Sequence, residues 1–154
     1  MKVVNKSFCW KLLTFSIALL AFFYWFTGRP VNIIAVHHDG SFNSVLVDHF
    51  PVTARGKISW WLENRDMLKQ RYGIPKVSSY GSYTIVFWYF GDGYMEEGKY
   101  DRLCFREMKT EKNCIEKDKA FTVSDGGNSG LYFLANESYY QLSDSGKIVK
   151  QPSH

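Results

Sequence analysis

The chain has 154 residues, of which 45% are hydrophobic and 18% aromatic, and its formal net charge is +4. Three of the 19 basic residues, Lys2, Lys6 and Lys11, precede or open one apolar run, so about as many basic residues (16) as acidic ones (15) follow it. The later part is nearly neutral and of ordinary size for one domain, which argues against a nucleic-acid partner.

The first predicted element is an apolar helix at residues 12–27, where LLTFSIALLAFFYWFT carries no charged side chain. Such a helix spans about 24 Å, and residues 8–10 extend it to roughly the thickness of a hydrocarbon core if Lys11 reaches back to the headgroups. Trp10 at one end and Tyr24 and Trp25 at the other are suited to the two interfaces. The residues predicted to lie in the bilayer are Leu12, Leu13, Ile17, Leu19, Leu20, Phe22, Phe23 and Trp25.

A cleaved signal peptide is the alternative interpretation of this run. Bulky side chains at residues 22–26 disfavour cleavage, because signal peptidase needs small residues at the cut. Lysines precede the run and only Arg29 follows it closely, so the positive-inside rule predicts a cytoplasmic N-terminus. The sequence therefore predicts a single-pass anchor at 1–28, with the lipid bilayer as its partner, and an exported domain at 29–154.

Three strong patterns open the exported part. Residues 31–50 read as two β-rich runs joined at Asp39 and Gly40, which is typical of a hairpin. Thr53 can cap a helix that runs to Tyr72 and is ended by Gly73. Residues 83–90, YTIVFWYF, are almost all β-branched or aromatic and predict the central strand of a sheet.

Five shorter runs follow, each bounded by turn residues. They predict strands at 100–105, 120–123, 131–135, 139–142 and 147–150. One helix among hairpin-linked strands indicates an α+β domain, in which the helix packs on one face of a mainly antiparallel sheet. The other face is expected to be wet or partly covered.

Two cysteines, Cys104 and Cys114, lie in the part predicted to be exported, where thiols oxidise. We predict a disulfide between them. The alternatives are two buried free thiols and, with weaker support because no histidine lies near, a metal site. Cys9 lies on the other side of the predicted membrane and cannot join the pair.

The predicted helix carries two apolar residues, Trp60 and Met67, away from its main apolar stripe of Ile58, Trp61, Leu62 and Leu68. One interpretation is that a loop, the hairpin or the membrane surface covers them. The other is a partner-binding patch of Trp60, Met67 and Arg71, because an exposed tryptophan beside methionine and arginine is typical of an interface hot spot.

No constellation indicates catalysis. His37 and His38 are adjacent, so a strand points them to opposite faces and they cannot share one metal ion. His49 could approach one of them across the hairpin, although polar residues at strand ends are more often solvated. Glu96 and Glu97 read as surface acids and not as a glycosidase pair. The sequence predicts no catalytic residue, no metal and no cofactor.

Several ordered blocks carry a family resemblance: RPVNIIAVHHDG, VLVDHFP, GKISWWLENRDMLKQRYGIPK, FWYFGDGY, YDRLCF and GKIVK. With these the chain resembles the enterobacterial putative membrane protein family, a domain of unknown function, along almost its whole length. The resemblance implies a bacterial inner membrane with a periplasmic domain. It implies no activity and supplies no site residues.

Three functions follow as hypotheses. The first is a non-enzymatic, membrane-anchored domain that binds an unknown protein in the periplasm, for example an immunity protein against an exported toxin. The second is an envelope factor that binds peptidoglycan or lipid through surface aromatics. The third is an unrecognised hydrolase that uses some of His37, His38, His49, Glu96 and Glu97.

Overall fold

The computed structural model describes residues 6–152, and the chain divides into two compact units, one up to Pro30 and one from Val31. The first unit contains helix α1, Lys6–Thr27, which includes the whole run predicted at 12–27 and its extension at residues 8–10. Lys6–Phe26 has a mean hydropathy of 1.6 and is, within 6–152, the one helix long and apolar enough to span a membrane. Its 21 residues extend about 32 Å, which matches a hydrocarbon core. Lys2 lies outside the described residues.

The described part of the second unit, residues 31–152, contains ten strands and one helix. Two strands come first, β1 (Asn32–Asp39) and β2 (Phe42–Asp48), then helix α2 (Ala54–Tyr72) and strand β3 (Tyr83–Tyr89). The later strands are β4 (Met95–Glu96), β5 (Leu103–Cys104), β6 (Lys112–Ile115), β7 (Lys119–Asp125), β8 (Leu131–Ala135), β9 (Ser138–Leu142) and β10 (Ile148–Lys150).

The strands form two sheets. Seven of them make one sheet in the order β1-β2-β3-β7-β8-β9-β10, and the three short ones make another in the order β4-β6-β5. All pairs are antiparallel except β2 with β3, which run parallel because α2 carries the chain back across the sheet. The predicted α+β class with a mainly antiparallel sheet is confirmed.

Helix α2 begins and ends at the predicted residues. The Thr53 hydroxyl accepts a hydrogen bond from the Gly56 N–H at 3.0 Å, which satisfies one of the free amides of the first turn. Gly73 adopts a left-handed conformation with φ of 68°, and its N–H donates to the Lys69 carbonyl at 3.0 Å. A glycine is favoured there because it carries no side chain to strain that conformation.

The main core lies between α2 and one face of the large sheet. Ile58, Trp61 and Leu68 of α2 meet Phe87, Phe121 and Phe133 of the sheet, and all six are at most 3% exposed. Phe121 and Phe133 stack with their ring centroids 6.0 Å apart. Large aromatic side chains supply much of the apolar area buried here, which favours folding of the domain.

The opposite face of the sheet is covered in part by residues 90–118, which we call the disulfide lobe. Phe105 and Ile115 of the lobe pack on Leu46, Val86 and Trp88 of the large sheet in a second core. The lobe contains β4, β5 and β6. The strand predicted at 100–105 is limited to Leu103–Cys104, and β4 and β6 were not predicted.

Candidate functional site

A cleft of about 440 Å³ lies between the turn end of the β1–β2 hairpin and the disulfide lobe, a volume within the range of ligand pockets. The hairpin and the lobe each supply five of the residues that line it. They are His37, His38, Asp39, Phe42 and Ser44 from the hairpin, and Leu103, Cys104, Phe105, Arg106 and Glu107 from the lobe.

Register explains why these hairpin residues face the lobe. His37 lies opposite Ser44, and Ala35 lies opposite Leu46, which belongs to the second core. Side chains alternate along a strand, so His37 and Ser44 share the face of the sheet that carries the lobe. The hydroxyl of Ser44 accepts a hydrogen bond from the indole N–H of Trp88 at 3.3 Å.

His37 joins the sheet to the lobe through three contacts. Its Nδ1 lies 2.6 Å from Oε1 of Glu107, and its Nε2 lies 2.8 Å from the hydroxyl of Tyr94. Its ring stacks on Phe105 with centroids 3.6 Å apart. The carboxylate can only accept, so Nδ1 carries a proton in this arrangement. Both ring nitrogens and the face of the ring toward Phe105 are therefore occupied.

Tyr94 completes this network from within the lobe. Burial raises the pKa of Tyr94 above its usual value near 10, and the carboxylate of Glu107 raises it further. The phenol therefore keeps its proton through the physiological range and is available as a donor or an acceptor to His37. The Glu107, His37 and Tyr94 side chains thus tie the lobe to the hairpin.

A disulfide closes the segment that carries two of these residues. Cys104 of β5 lies directly opposite Cys114 of β6, and their sulfurs are bonded at 2.07 Å. Phe105 and Glu107 lie in the loop between the two cysteines. Closing a loop of this length stabilises a fold by about 3 kcal/mol in the chain-entropy description. The wall of the cleft is therefore held by a covalent bond as well as by His37.

The other two histidines within residues 6–152, His38 and His49, do not join His37. Nδ1 of His38 lies 2.8 Å from Oδ1 of Asn43, which is fully buried. Asp48 lies opposite Asn32, so His49 is at the far end of the hairpin from Gly40 and cannot reach the cleft across the strands. Within residues 6–152 no three His, Cys, Asp or Glu side chains come close enough to hold a metal ion together.

Two of the three residues of the patch predicted on α2 contact the main core. Trp60 is half-buried and packs edge-on against Phe50 and Phe87, with ring centroids 5.1 and 5.8 Å away. Met67 is also half-buried against the main core, and only Arg71 is exposed, with its guanidinium over Tyr72. These contacts fit the interpretation in which other parts of the domain cover Trp60 and Met67. The core contacts more of the helix surface than the main apolar stripe alone.

The side chains predicted to lie in the bilayer all belong to α1. They are between 52% and 70% exposed: Leu12, Leu13, Ile17, Leu19, Leu20, Phe22, Phe23 and Trp25. A band of this size cannot remain in water without a large free-energy cost, so an apolar phase is its natural surrounding.

Sequence reasoning missed the two partners of His37. Tyr94 and Glu107 lie 57 and 70 residues beyond it along the chain, so no local spacing links them to it. The one available signal was the predicted disulfide, which already indicated that the segment containing Glu107 is a fixed loop.

Together, the apolar helix and the disulfide-closed domain describe a membrane protein with one candidate N-terminal span. The enterobacterial putative membrane protein family (DUF943) matches residues 2–152, and the chain belongs to that family. No curated protein and no solved structure matches it.

Proposed function

We propose that this membrane protein is a non-enzymatic binding domain, held by α1 at the periplasmic face of a bacterial inner membrane, and that its ligand is another protein. The supporting observation is that one chain combines an exposed apolar helix with a domain closed by a disulfide. Lipid is suited to cover the helix, and the disulfide is suited to an oxidising compartment.

The charge distribution supports this orientation. Lys6 and Lys11 flank the start of the apolar segment, whereas Arg29 is the one basic residue close to its end. A reporter enzyme that needs disulfide bonds, fused after His154, is expected to be active and to sediment with membranes. An inactive reporter would contradict the orientation, and a mature polypeptide that begins after Phe26 would contradict the anchor.

The cleft favours binding over catalysis. Nε2 of His37 faces the hydroxyl of Tyr94, and burial together with Glu107 raises the pKa of that phenol, so the pair is better suited to hold the lobe than to supply an activated nucleophile. A fixed wall with exposed charged and aromatic groups at its rim is instead suited to recognition.

Crosslinking in intact cells tests for a protein partner. The full chain, tagged at its C-terminus, is treated with a short amine-reactive crosslinker and purified under denaturing conditions. We expect one protein adduct. Glu96 and Glu97 belong to the hydrolase hypothesis, so for a non-enzymatic domain the yield of the adduct should be unchanged when both are replaced by glutamine. Chains that yield no protein adduct in any growth condition would contradict the proposal.

Immunity is the most specific form of this proposal. A small anchored domain without chemistry is suited to block an antibacterial toxin that arrives in the periplasm. We expect a toxin gene beside the gene for this chain, and cells that lose protection when the domain is removed. Susceptibility that does not change on removal of the domain would contradict this form.

An envelope factor that binds peptidoglycan is the second candidate. Three tyrosines favour it, since Tyr80, Tyr100 and Tyr139 are 91%, 76% and 50% exposed and aromatic rings stack on sugars. Sedimentation of the full chain in detergent with purified cell wall separates the two candidates. Cosedimentation that is lost on replacing these tyrosines by serine would favour the envelope factor over the protein partner.

A further inference from the structure

Two strand edges border the cleft. Among the described residues β1 pairs only with β2, and β5 pairs only with β6. Residues 37–39 of β1 line one wall, and Leu103 and Cys104 of β5 line another. The edge of a strand presents backbone N–H and C=O groups that an additional strand can bond. The cleft therefore offers main-chain groups as well as side chains.

The two outer edges of the large sheet differ in protection. β10 has three residues, ends in Lys150 and is followed by Pro152, all features that discourage further pairing. β1 has eight residues and contains no proline, lysine or arginine. Its one irregularity lies between Ile33 and Ala35, so 35–39 keeps regular register. The part of this edge without a bulge, proline or basic residue is the part beside the cleft.

The side chains at the rim add charge of both signs. Asp39 and Arg106 are exposed, and neither side chain forms a hydrogen bond or ion pair with the rest of residues 6–152. Phe42 is 44% exposed and offers one aromatic ring. Glu107 is already engaged by His37. The available groups are thus one carboxylate, one guanidinium and one ring.

This set of groups distinguishes between ligand classes. A polyanion would be repelled by Asp39, and a neutral glycan would leave both charges without a partner. A segment of polypeptide can satisfy the strand edge with its backbone and both charges with its side chains. Residues 37–39 extend about 10 Å, so the site would contact three or four residues of such a segment.

We propose that the cleft binds an extended segment of a partner protein as an added strand beside 37–39. The segment carries an acidic side chain or a terminal carboxylate opposite Arg106, a basic side chain opposite Asp39, and an apolar side chain against Phe42. This inference rests on the proposed protein-binding function and specifies how the partner is held.

The probe is a library of random seven-residue peptides, displayed on phage and selected against the full chain in lipid nanodiscs. We expect enriched peptides that carry one acidic and one basic residue at a fixed spacing. Replacing the central peptide bonds of an enriched sequence by N-methyl peptide bonds should weaken binding by about tenfold or more, since each removes a main-chain donor.

A charge exchange tests the position of the site. The double variant Asp39→Lys with Arg106→Glu should select peptides with the order of charges reversed, and should bind the original peptide about tenfold more weakly. Asp144→Lys with Lys150→Glu is the matched control, because both residues are exposed and lie near β10. Circular dichroism of each variant confirms that the fold is kept.

Several results would overturn the inference. They are a selection that enriches no peptide, N-methylated peptides that bind equally well, and a charge exchange that changes nothing. Purified glycan strands that compete with the peptide would assign the cleft to sugars instead. If Asp39→Lys with Arg106→Glu leaves the in-cell protein adduct intact, the partner does not bind in the cleft, and the proposed function stands. If neither the unaltered chain nor any variant forms an adduct, the proposed function itself fails.

Discussion

Helical spacing predicted the burial of some side chains on α2 and missed others. Lys57 lies in the first turn of α2, and although lysines are usually solvated, it is only 6% exposed. Its ammonium donates to the carbonyl of Ala120 at 2.8 Å and to Oδ1 of Asn136 at 2.7 Å. Of the stripe that spacing predicted, Ile58, Trp61 and Leu68 are buried, and Leu62 is partly buried against the same core. Spacing could not identify Lys57 or Trp60, because the width of the surface that covers a helix depends on distant strands.

Trp60 tests whether α2 has a free second face. Trp60→Ala removes ring contacts with Phe50 and Phe87, so we expect the free energy of unfolding to fall by about 2–3 kcal/mol. Arg71→Ala is the matched control from the same helix and should change it by less than about 0.5 kcal/mol. Urea unfolding of the full chain in detergent measures both. Equal, small effects would mean that Trp60 is free for a partner.

Tyr94 tests the connection between the lobe and the sheet. Tyr94→Phe removes only the hydroxyl that contacts Nε2 of His37, so we expect a loss of about 1 kcal/mol in unfolding free energy. Hydrogen exchange should also rise at backbone amides near Glu107. Tyr139→Phe removes a hydroxyl from an exposed residue and serves as control. Identical exchange in the two variants would contradict the role given to His37.

Helices, turns and strands that depend on a few consecutive residues could be predicted from the sequence, whereas elements that depend on contacts between distant residues could not. The hairpin turn at Gly40, the Thr53 and Gly73 caps of α2 and the strand at 131–135 all depend on a few consecutive residues, and the structure has them where they were predicted. The parallel pairing of β2 with β3 depends on a crossover. β4 and β6 depend on each other and on the disulfide, so neither carries a recognisable pattern alone.

The disulfide between Cys104 and Cys114 is expected to stabilise the domain that contains the lobe, whereas the thiol of Cys9 on α1 is not expected to contribute. Replacing Cys104 and Cys114 together by serine should lower the free energy of unfolding by about 3 kcal/mol, because the open loop gains entropy when unfolded. Cys9→Ser is the matched control, since Cys9 is a free, exposed thiol on α1. Urea unfolding compares the two variants. A double variant as stable as the Cys9 variant would exclude a structural role for the bond.

For the whole molecule, ionisation predicts a loss of stability in alkali. Burial raises the pKa of Tyr83, Tyr89 and Tyr94 above the usual value near 10, with nearby carboxylates adding to the shift. Each tyrosine therefore contributes stability that is complete below about pH 10 and is lost as the pH rises through its folded-state pKa. Unfolding free energy should fall steeply above about pH 10.

Lys57 opposes this trend. Burial lowers the pKa of Lys57 below its usual value of 10.5, with Asp118 offsetting part of the shift, so its protonation penalises the folded state below that lowered pKa. This penalty disappears as the pH rises toward 10.5. The resulting gain in unfolding free energy from one lysine is opposed by the losses from three tyrosines. Urea unfolding at several pH values, with tyrosine absorbance followed in parallel, tests the balance. Stability that keeps rising beyond about pH 11 would contradict it.

The disulfide lobe leaves the large sheet and returns to it at neighbouring points. Trp88 of β3 lies opposite Lys119 of β7, and the Tyr89 N–H donates to the Asp118 carbonyl at 2.9 Å. The lobe is thus an insertion between two adjacent antiparallel strands. Its loops can lengthen, shorten or change sequence without shifting any hydrogen bond of the large sheet, provided that Leu46, Val86 and Trp88 stay covered. Sequence changes confined to the lobe can therefore alter the walls of the cleft while the scaffold of the large sheet is retained.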